Sequence, residues 1–262
     1  MKVVLFCGGQ GMRLREQSES LPKPMVHIGY RPILWHVMKY YAHFGHKDFI
    51  LCLGHRADTI KSYFRAYDET VSNDFVLTGG VEVELLNTDI YDWRIAFVDT
   101  GINATIGERL RAVEPFLQGE DVFLANYSDG LTDLDLNIYV DEVLTLGKIA
   151  NFLCVRPTQT FHVVSVSDGG LVDDIQPVSK ADVWINAGFF VFRKEIFRYI
   201  RPGEDLVFEP FDRLIKEGQL LAYKYNGFWT AMDTFKDKEH LGDMYSRDSA
   251  PWQVWAERRT EG

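Results

Sequence analysis

The first residues in this chain whose types and spacing could do chemistry are Gly8-Gly9-Gln10-Gly11-Met12-Arg13, followed at a short distance by Lys23-Pro24-Met25. The glycines come directly after the apolar run Val3-Val4-Leu5-Phe6-Cys7. Such a run ending in glycine reads as a buried strand opening into a tight loop. Without a Cβ, glycine lets backbone N–H groups close on an anion. The fixed charges of Arg13 and Lys23 turn that loop into a polyphosphate cradle rather than a bare structural turn. Two other phosphate loops are excluded. A P-loop ends in Gly-Lys-Ser/Thr, which does not occur here. A dinucleotide fingerprint needs a third glycine where this chain has Leu14.

Two acids are placed to work with that cradle. Asp129 follows the strand-like run Val122–Asn126 and precedes Gly130, and Asp233 follows Phe228-Trp229 in a turn-like segment. In an open parallel sheet, ligands bind at the carboxyl ends of strands, where Gly8 and Asp129 would both lie. Each acid has a plainer reading as well: Asp129 as a turn residue before glycine, Asp233 as a helix N-cap for which Thr234 competes. Asp133 and Asp135 read as ordinary turn or surface acids, because the spacing after Asp129 does not fit an EF-hand.

The elements that must position these groups alternate. Strand patterns fall at 2–7, 48–53, 95–99, 121–126, 150–155 and 184–192. Pro32 to Phe44 and Ala57 to Tyr67 carry helical stripes. This alternation predicts right-handed βαβ crossovers and a mainly parallel sheet. Thr78-Gly79-Gly80 and Ser167-Asp168-Gly169-Gly170 each sit between short apolar runs and predict β-hairpins. A helix is expected from Thr234 to about Ser246. Trp252 and Trp255 follow on a short tail, expected to dock on the domain or on another subunit.

Bulk properties narrow the function classes. The chain has 262 residues and a formal net charge of −10. That balance argues against a general nucleic-acid binder and leaves room for a local basic cleft. Cys7, Cys52 and Cys154 lie far apart in apolar runs and read as buried free thiols of a reducing compartment. The chain starts on a strand rather than a secretion signal, and no apolar run is long enough to span a membrane, so no membrane partner and a cytoplasmic location are expected.

Taken in order, Gly8-Gly9-Gln10-Gly11-Met12-Arg13-Leu14, Lys23-Pro24, Val98-Asp99-Thr100-Gly101, Ser128-Asp129-Gly130, Ile185-Asn186-Ala187-Gly188-Phe189-Phe190, Phe228-Trp229-Thr230-Ala231-Met232-Asp233-Thr234 and Ala250-Pro251-Trp252 resemble the sugar-phosphate nucleotidyltransferase family, in its glucose-1-phosphate cytidylyltransferase branch. The resemblance covers nearly the whole chain. It implies an α/β fold: a Rossmann-like three-layer nucleotidyltransferase with a mainly parallel mixed sheet and small β-hairpin additions. It implies one domain over 1–262, with a nucleotide-binding part (1–130), a sugar-phosphate-binding part (131–235) and a C-terminal helix and tail (236–262). The substrates it implies are a nucleoside triphosphate (CTP) and a sugar 1-phosphate (glucose 1-phosphate), and the cofactor is a magnesium ion (Mg2+) on Asp129 and Asp233. Arg13, Lys23 and Asp129 are the catalytic candidates. Gly8, Gly9, Gly11, Met12, Arg13, Lys23, Ser128 and Asp129 would bind the nucleotide. Arg109, Lys180, Asn186, Gly188 and Trp229 would bind the sugar phosphate, and a homo-oligomer is expected.

The chain departs from the family pattern in places. Met12 replaces a hydroxyl residue, Ser128 replaces a glycine, and Glu108 interrupts Gly-Gly-Arg-Leu before Arg109. The family's Glu-Lys-Pro is absent; the stretch reads Gln176-Pro177-Val178-Ser179-Lys180. Lys180 either takes the place of the missing lysine or is a solvated loop residue. Arg109 is either a phosphate or subunit contact or a solvated helix arginine. A different sugar or polyol phosphate, or a non-catalytic sensor of the same fold, are the rival functions.

Overall fold

The structure, a computed structural model, describes residues 1–9, 21–158 and 161–256. Strand β1 (Lys2–Phe6) is the apolar run that precedes the glycines. Its side chains alternate: Val3 and Leu5 enter one buried cluster, Val4 and Phe6 the other. That is the two-residue period of a strand covered on both faces, as a parallel sheet requires.

β2 (Asp48–Leu53) lies parallel to β1, and β3 (Arg94–Asp99) extends the parallel set beyond it. On the other side β4 (Val122–Tyr127) is also parallel to β1. Then come β5 (Ala150–Val155), β6 (Ile185–Asn186), β7 (Phe190–Arg193) and β8 (Leu220–Tyr225). β7 runs antiparallel between β4 and β5, β6 pairs antiparallel with the end of β5, and β8 lies parallel along the far edge of β5. The carboxyl ends of β1 to β5 and β8 therefore share one edge of the sheet.

Helices cover both faces. α1 (Ile33–His43), α2 (Ala57–Arg65), α4 (Leu136–Leu146) and α6 (Phe235–Ser246) bury Leu34, Ile60, Tyr139 and Leu241 in the first cluster. α3 (Ile106–Ala112) and α5 (Glu209–Lys216) bury Leu110 and Leu214 in the second. This is the three-layer α/β arrangement with a mainly parallel mixed sheet that the sequence predicts. The two glycine hairpins also form, at Phe75–Thr78 with Glu82–Leu85 and at His162–Val166 with Val172–Pro177.

One predicted element differs. The segment 184–192 reads as a single strand, but it breaks into β6 and β7 at Ala187-Gly188-Phe189. Gly188 has φ +76 and Phe189 φ +51, so both occupy the left-handed region. A Cβ on Gly188 would lie 2.7 Å from Asn126 Oδ1. Phe189 is held there although it is not glycine. Its N–H donates to Asn126 Oδ1 at 3.1 Å, and its carbonyl accepts from the Tyr139 hydroxyl at 2.8 Å.

The tail settles on its own chain. Trp252 is 0% exposed, stacks on Phe228 and donates from Nε1 to His36 Nδ1 at 3.4 Å. Trp255 packs edge-on against Trp35. The chain buries the Trp252 ring by itself, while Trp255 is half-buried.

Candidate active site

A short ladder builds the centre of the site. Gly130–Thr132 pairs antiparallel with Trp229–Ala231, with Gly130 opposite Ala231. The Met232 N–H then donates to the Asp129 carbonyl at 3.0 Å. Asp129, just beyond β4, and Asp233, a hundred residues later in the chain, are thereby held side by side.

Lys23 is the third member. It opens a 3-10 turn, Lys23–Met25, whose Pro24 and Met25 are buried. Its Nζ donates to Asp233 Oδ1 at 2.6 Å and forms an ion pair with Asp129 Oδ2. The Lys23 side chain is 16% exposed. Burial opposes its charge, but Asp129 and Asp233 outweigh that and hold the ammonium pKa above its ordinary value. Two carboxylates thus converge on one cation at the carboxyl edge of the sheet.

The neighbouring acids have structural work. Thr234 caps α6 in a capping box with Asp237, which leaves the Asp233 carboxylate to Lys23. Asp133 accepts from the Tyr225 hydroxyl at 2.6 Å and the Phe228 N–H at 2.8 Å. Asp135 caps α4. Asp135 is thus an exposed cap, whereas Asp133 is no ordinary surface acid: it is half-buried and ties its loop to Tyr225 and Phe228.

The strand exits are tied together from behind. Arg109 on α3 is 3% exposed. One guanidinium nitrogen donates to the Leu53 carbonyl at 3.1 Å and the Thr100 hydroxyl at 2.7 Å; the other donates to the Gly8 carbonyl at 3.0 Å and the Ile102 carbonyl at 3.4 Å. The ends of β1, β2 and β3 are thereby joined through one side chain. Any Cβ on Gly8 would overlap this guanidinium, at 2.0 Å. Ser128 adds a second tie, donating to the Phe6 carbonyl at 2.9 Å. Cys7, beside Gly8, is fully buried, and burial pushes its thiol pKa up to about 12. It is protonated at neutral pH and is no nucleophile.

The family model described as nucleotidyl transferase matches residues 2–237. The chain belongs to that family. It is 36% identical over 257 residues to the glucose-1-phosphate cytidylyltransferase of Salmonella typhi, covering 97% of this chain and 100% of the relative. Among solved structures, UDP-glucose pyrophosphorylase complexed with UDP-glucose superposes with a TM-score of 0.69 at 12% identity, over 94% of this chain and 98% of that one. HddC from Yersinia pseudotuberculosis complexed with GMP-PN superposes with a TM-score of 0.64 at 20% identity, over 93% and 99%. These two likenesses carry the fold alone.

For this nucleotidyl transferase, the predicted residues fall into three groups. Lys23, Asp129 and Asp233 meet. Gly8, Gly9 and Ser128 lie at the adjoining strand exits, whereas Gly11, Met12 and Arg13 lie outside the described residues. Of the residues expected on the sugar-phosphate side, Asn186, Gly188 and Trp229 surround the β6–β7 break. Asn186 Oδ1 accepts from the Gly188 N–H at 2.9 Å, and Trp229 Nε1 donates to the Ala187 carbonyl at 3.1 Å. Arg109 is not with them; its hydrogen bonds place it under Gly8, at the exits of β1, β2 and β3. Lys180 is exposed in the turn after Val172–Pro177.

Two cations on that side were not apparent from the sequence. Arg156 and Lys224 lie 4.8 Å and 4.9 Å from the Trp184 ring centre. Arg156 also donates to the Ala181 carbonyl at 2.8 Å, next to Lys180. Arg156 follows β5 and Lys224 lies near the end of β8. Only the parallel pairing of those strands brings them together, and no local spacing signals it.

Proposed function

We propose that the protein transfers a nucleotidyl group, CMP from CTP, to glucose 1-phosphate, releasing pyrophosphate. The observation that carries this reading is the convergence of Asp129 and Asp233 on a single cation at the strand exits, in a chain 36% identical over its length to a glucose-1-phosphate cytidylyltransferase. The division into a nucleotide part (1–130) and a sugar-phosphate part (131–235) is part of the proposal. It is supported by the placing of Gly8 and Asn186 on opposite sides of β4.

The donor set fits magnesium. This ion takes one or two carboxylates and leaves its other positions to phosphate and water. Asp129 and Asp233 supply two oxygens already directed at one cation. When bound, magnesium would neutralise phosphate charge and polarise the α-phosphate. The chain's own groups do the rest. Gly9 offers backbone to the triphosphate in open space, while the missing Cβ of Gly8 makes room for the Arg109 guanidinium that fixes the Gly8 carbonyl. Lys23 supplies positive charge to the phosphates and the leaving pyrophosphate. An oxygen of the sugar phosphate bonds to the α-phosphorus as the bond to the bridging oxygen breaks, and that electron pair leaves with pyrophosphate. Positioning and charge suffice for such a displacement, so no covalent enzyme intermediate forms. Asn186, Gly188, Trp229 and Lys180 receive the acceptor, with Arg156 and Lys224 adding positive field. No helix among the described residues is long and apolar enough to cross a membrane. A homo-oligomer remains part of the proposal; it rests on the exposed apolar side chains of the Phe75–Leu85 hairpin rather than on the tail.

Asp129→Asn and Asp233→Asn should each lower kcat with CTP and glucose 1-phosphate by more than about tenfold while circular dichroism stays unchanged. A variant keeping more than about a tenth of wild-type kcat would contradict the metal role. In a panel of nucleoside triphosphates, preference for one other than CTP would replace the base.

A further inference from the structure

Lys23 does more here than approach a phosphate site. Its single Nζ contacts one oxygen of each carboxylate, 2.6 Å from Asp233 Oδ1 and in direct ion-pair contact with Asp129 Oδ2. A magnesium ion sits about 2.1 Å from its oxygen ligands. An ion bonded to the same two oxygens would have to occupy the volume that the ammonium fills, and two cations at that separation repel strongly. An ion on the remaining oxygens, Asp129 Oδ1 and Asp233 Oδ2, would still lie beside the ammonium, so the two cations compete for the same pair of carboxylates.

The surroundings give the ammonium that place. Among the described residues, no group of three or more acidic, histidine or cysteine side chains gathers to hold a metal ion. The two aspartates are the carboxylate set, and Lys23 is bonded to both. The Arg109 cation is directed at carbonyls and the Thr100 hydroxyl, not at these carboxylates. Pro24 and Met25, next to Lys23 in its 3-10 turn, are buried and anchor the turn that carries the side chain.

We infer that Lys23 is the resident cation of the metal position. In the nucleotide-free protein it competes with the divalent ion for Asp129 and Asp233, and it gives way when a triphosphate offers the ammonium another anion. The inference rests on the carboxylate-pair reading above. It adds that the lysine suppresses metal binding until nucleotide arrives, so the empty enzyme carries no tightly held divalent ion.

The test is a titration of nucleotide-free protein with Mn2+, with free ion followed by electron paramagnetic resonance. Wild type is compared with Lys23→Met, Lys23→Gln and Lys23→Arg. The two neutral variants should bind Mn2+ at least about tenfold more tightly than wild type, since two charge-assisted contacts no longer have to be broken. Lys23→Arg keeps the charge and should stay within about threefold of wild type. Neutral variants that bind no more tightly would overturn the inference, and so would equal tightening in Lys23→Arg. If Lys23→Met fails to fold, Lys23→Gln carries the comparison. If both fail, Mn2+ should rescue their folding midpoints, and no rescue counts against the inference. Asp129→Asn introduced into Lys23→Gln and titrated without nucleotide separates the two claims. Unchanged Mn2+ binding there would sink the carboxylate-pair reading itself, whereas weakened binding combined with unresponsive Lys23 variants would sink only the competition.

Discussion

Arg109→Lys keeps the charge and most of the stem of the buried guanidinium but removes its fork. The native side chain serves four acceptors from two nitrogens: the Leu53 carbonyl and Thr100 hydroxyl from one, the Gly8 and Ile102 carbonyls from the other. A lysine ammonium can replace only one of those nitrogens. The other pair loses its donor. Ile102 is exposed, so water can take its carbonyl, and the Leu53 carbonyl still accepts from the Thr100 N–H at 2.9 Å and the Thr100 hydroxyl at 2.7 Å; the Gly8 carbonyl has no such second donor among the described residues. An orphaned buried acceptor costs about 1–3 kcal/mol, and the lost packing adds to it. We expect about 2–3 kcal/mol of destabilisation, which for a chain of this size lowers Tm by about 5–10 °C. Urea unfolding and calorimetry read that part. Steady-state kinetics read the functional part. With Gly8 no longer fixed, the nucleotide KM should rise about tenfold or more while the sugar-phosphate KM stays put. Unchanged stability with a rise confined to the sugar-phosphate KM would refute the reasoning, and would return Arg109 to the acceptor side where its sequence motif suggested it.

Two further outcomes follow from the same geometry. Burial lowers the His36 pKa from 6.5 to about 4, and the neutral ring bridges Trp252 and the Ile28 carbonyl. The unfolded chain therefore takes up this proton first as pH falls. The contribution is intact above pH 6.5 and is lost between 6.5 and 4, by about 3 kcal/mol at 1.36 kcal/mol per pKa unit. Urea midpoints at pH 7 and 4.5 should differ more in wild type than in His36→Gln, and equal differences would count against this. On the acceptor side, Lys180→Ala should raise the sugar-phosphate KM about ten- to a hundredfold and spare the nucleotide if it replaces the missing lysine. An effect in Arg156→Ala or Lys224→Ala but none in Lys180→Ala would move that role to the pair beside Trp184.

The sequence by itself determined the strand that ends in Gly8, the α/β class, the hairpins and the C-terminal helix, and it singled out Lys23, Asp129 and Asp233, the candidates that the fold brings together. These are carried by local signals: two- and 3.6-residue periodicity, glycine at turns, and residue types in fixed order. What it could not determine are contacts between segments far apart in the chain. Arg109 has the same local motif whether its guanidinium meets a substrate phosphate or the Gly8 carbonyl, and only the packing of α3 against the strand exits chose the second. The break at Gly188-Phe189 depends on Asn126 and Tyr139, side chains from β4 and α4 that hold a left-handed phenylalanine no local propensity would favour. Arg156 and Lys224 become neighbours only because β8 adds in parallel to β5. The union of Lys23 with both aspartates likewise needed the ladder of Gly130–Thr132 with Trp229–Ala231, since tertiary pairing alone closes such distances.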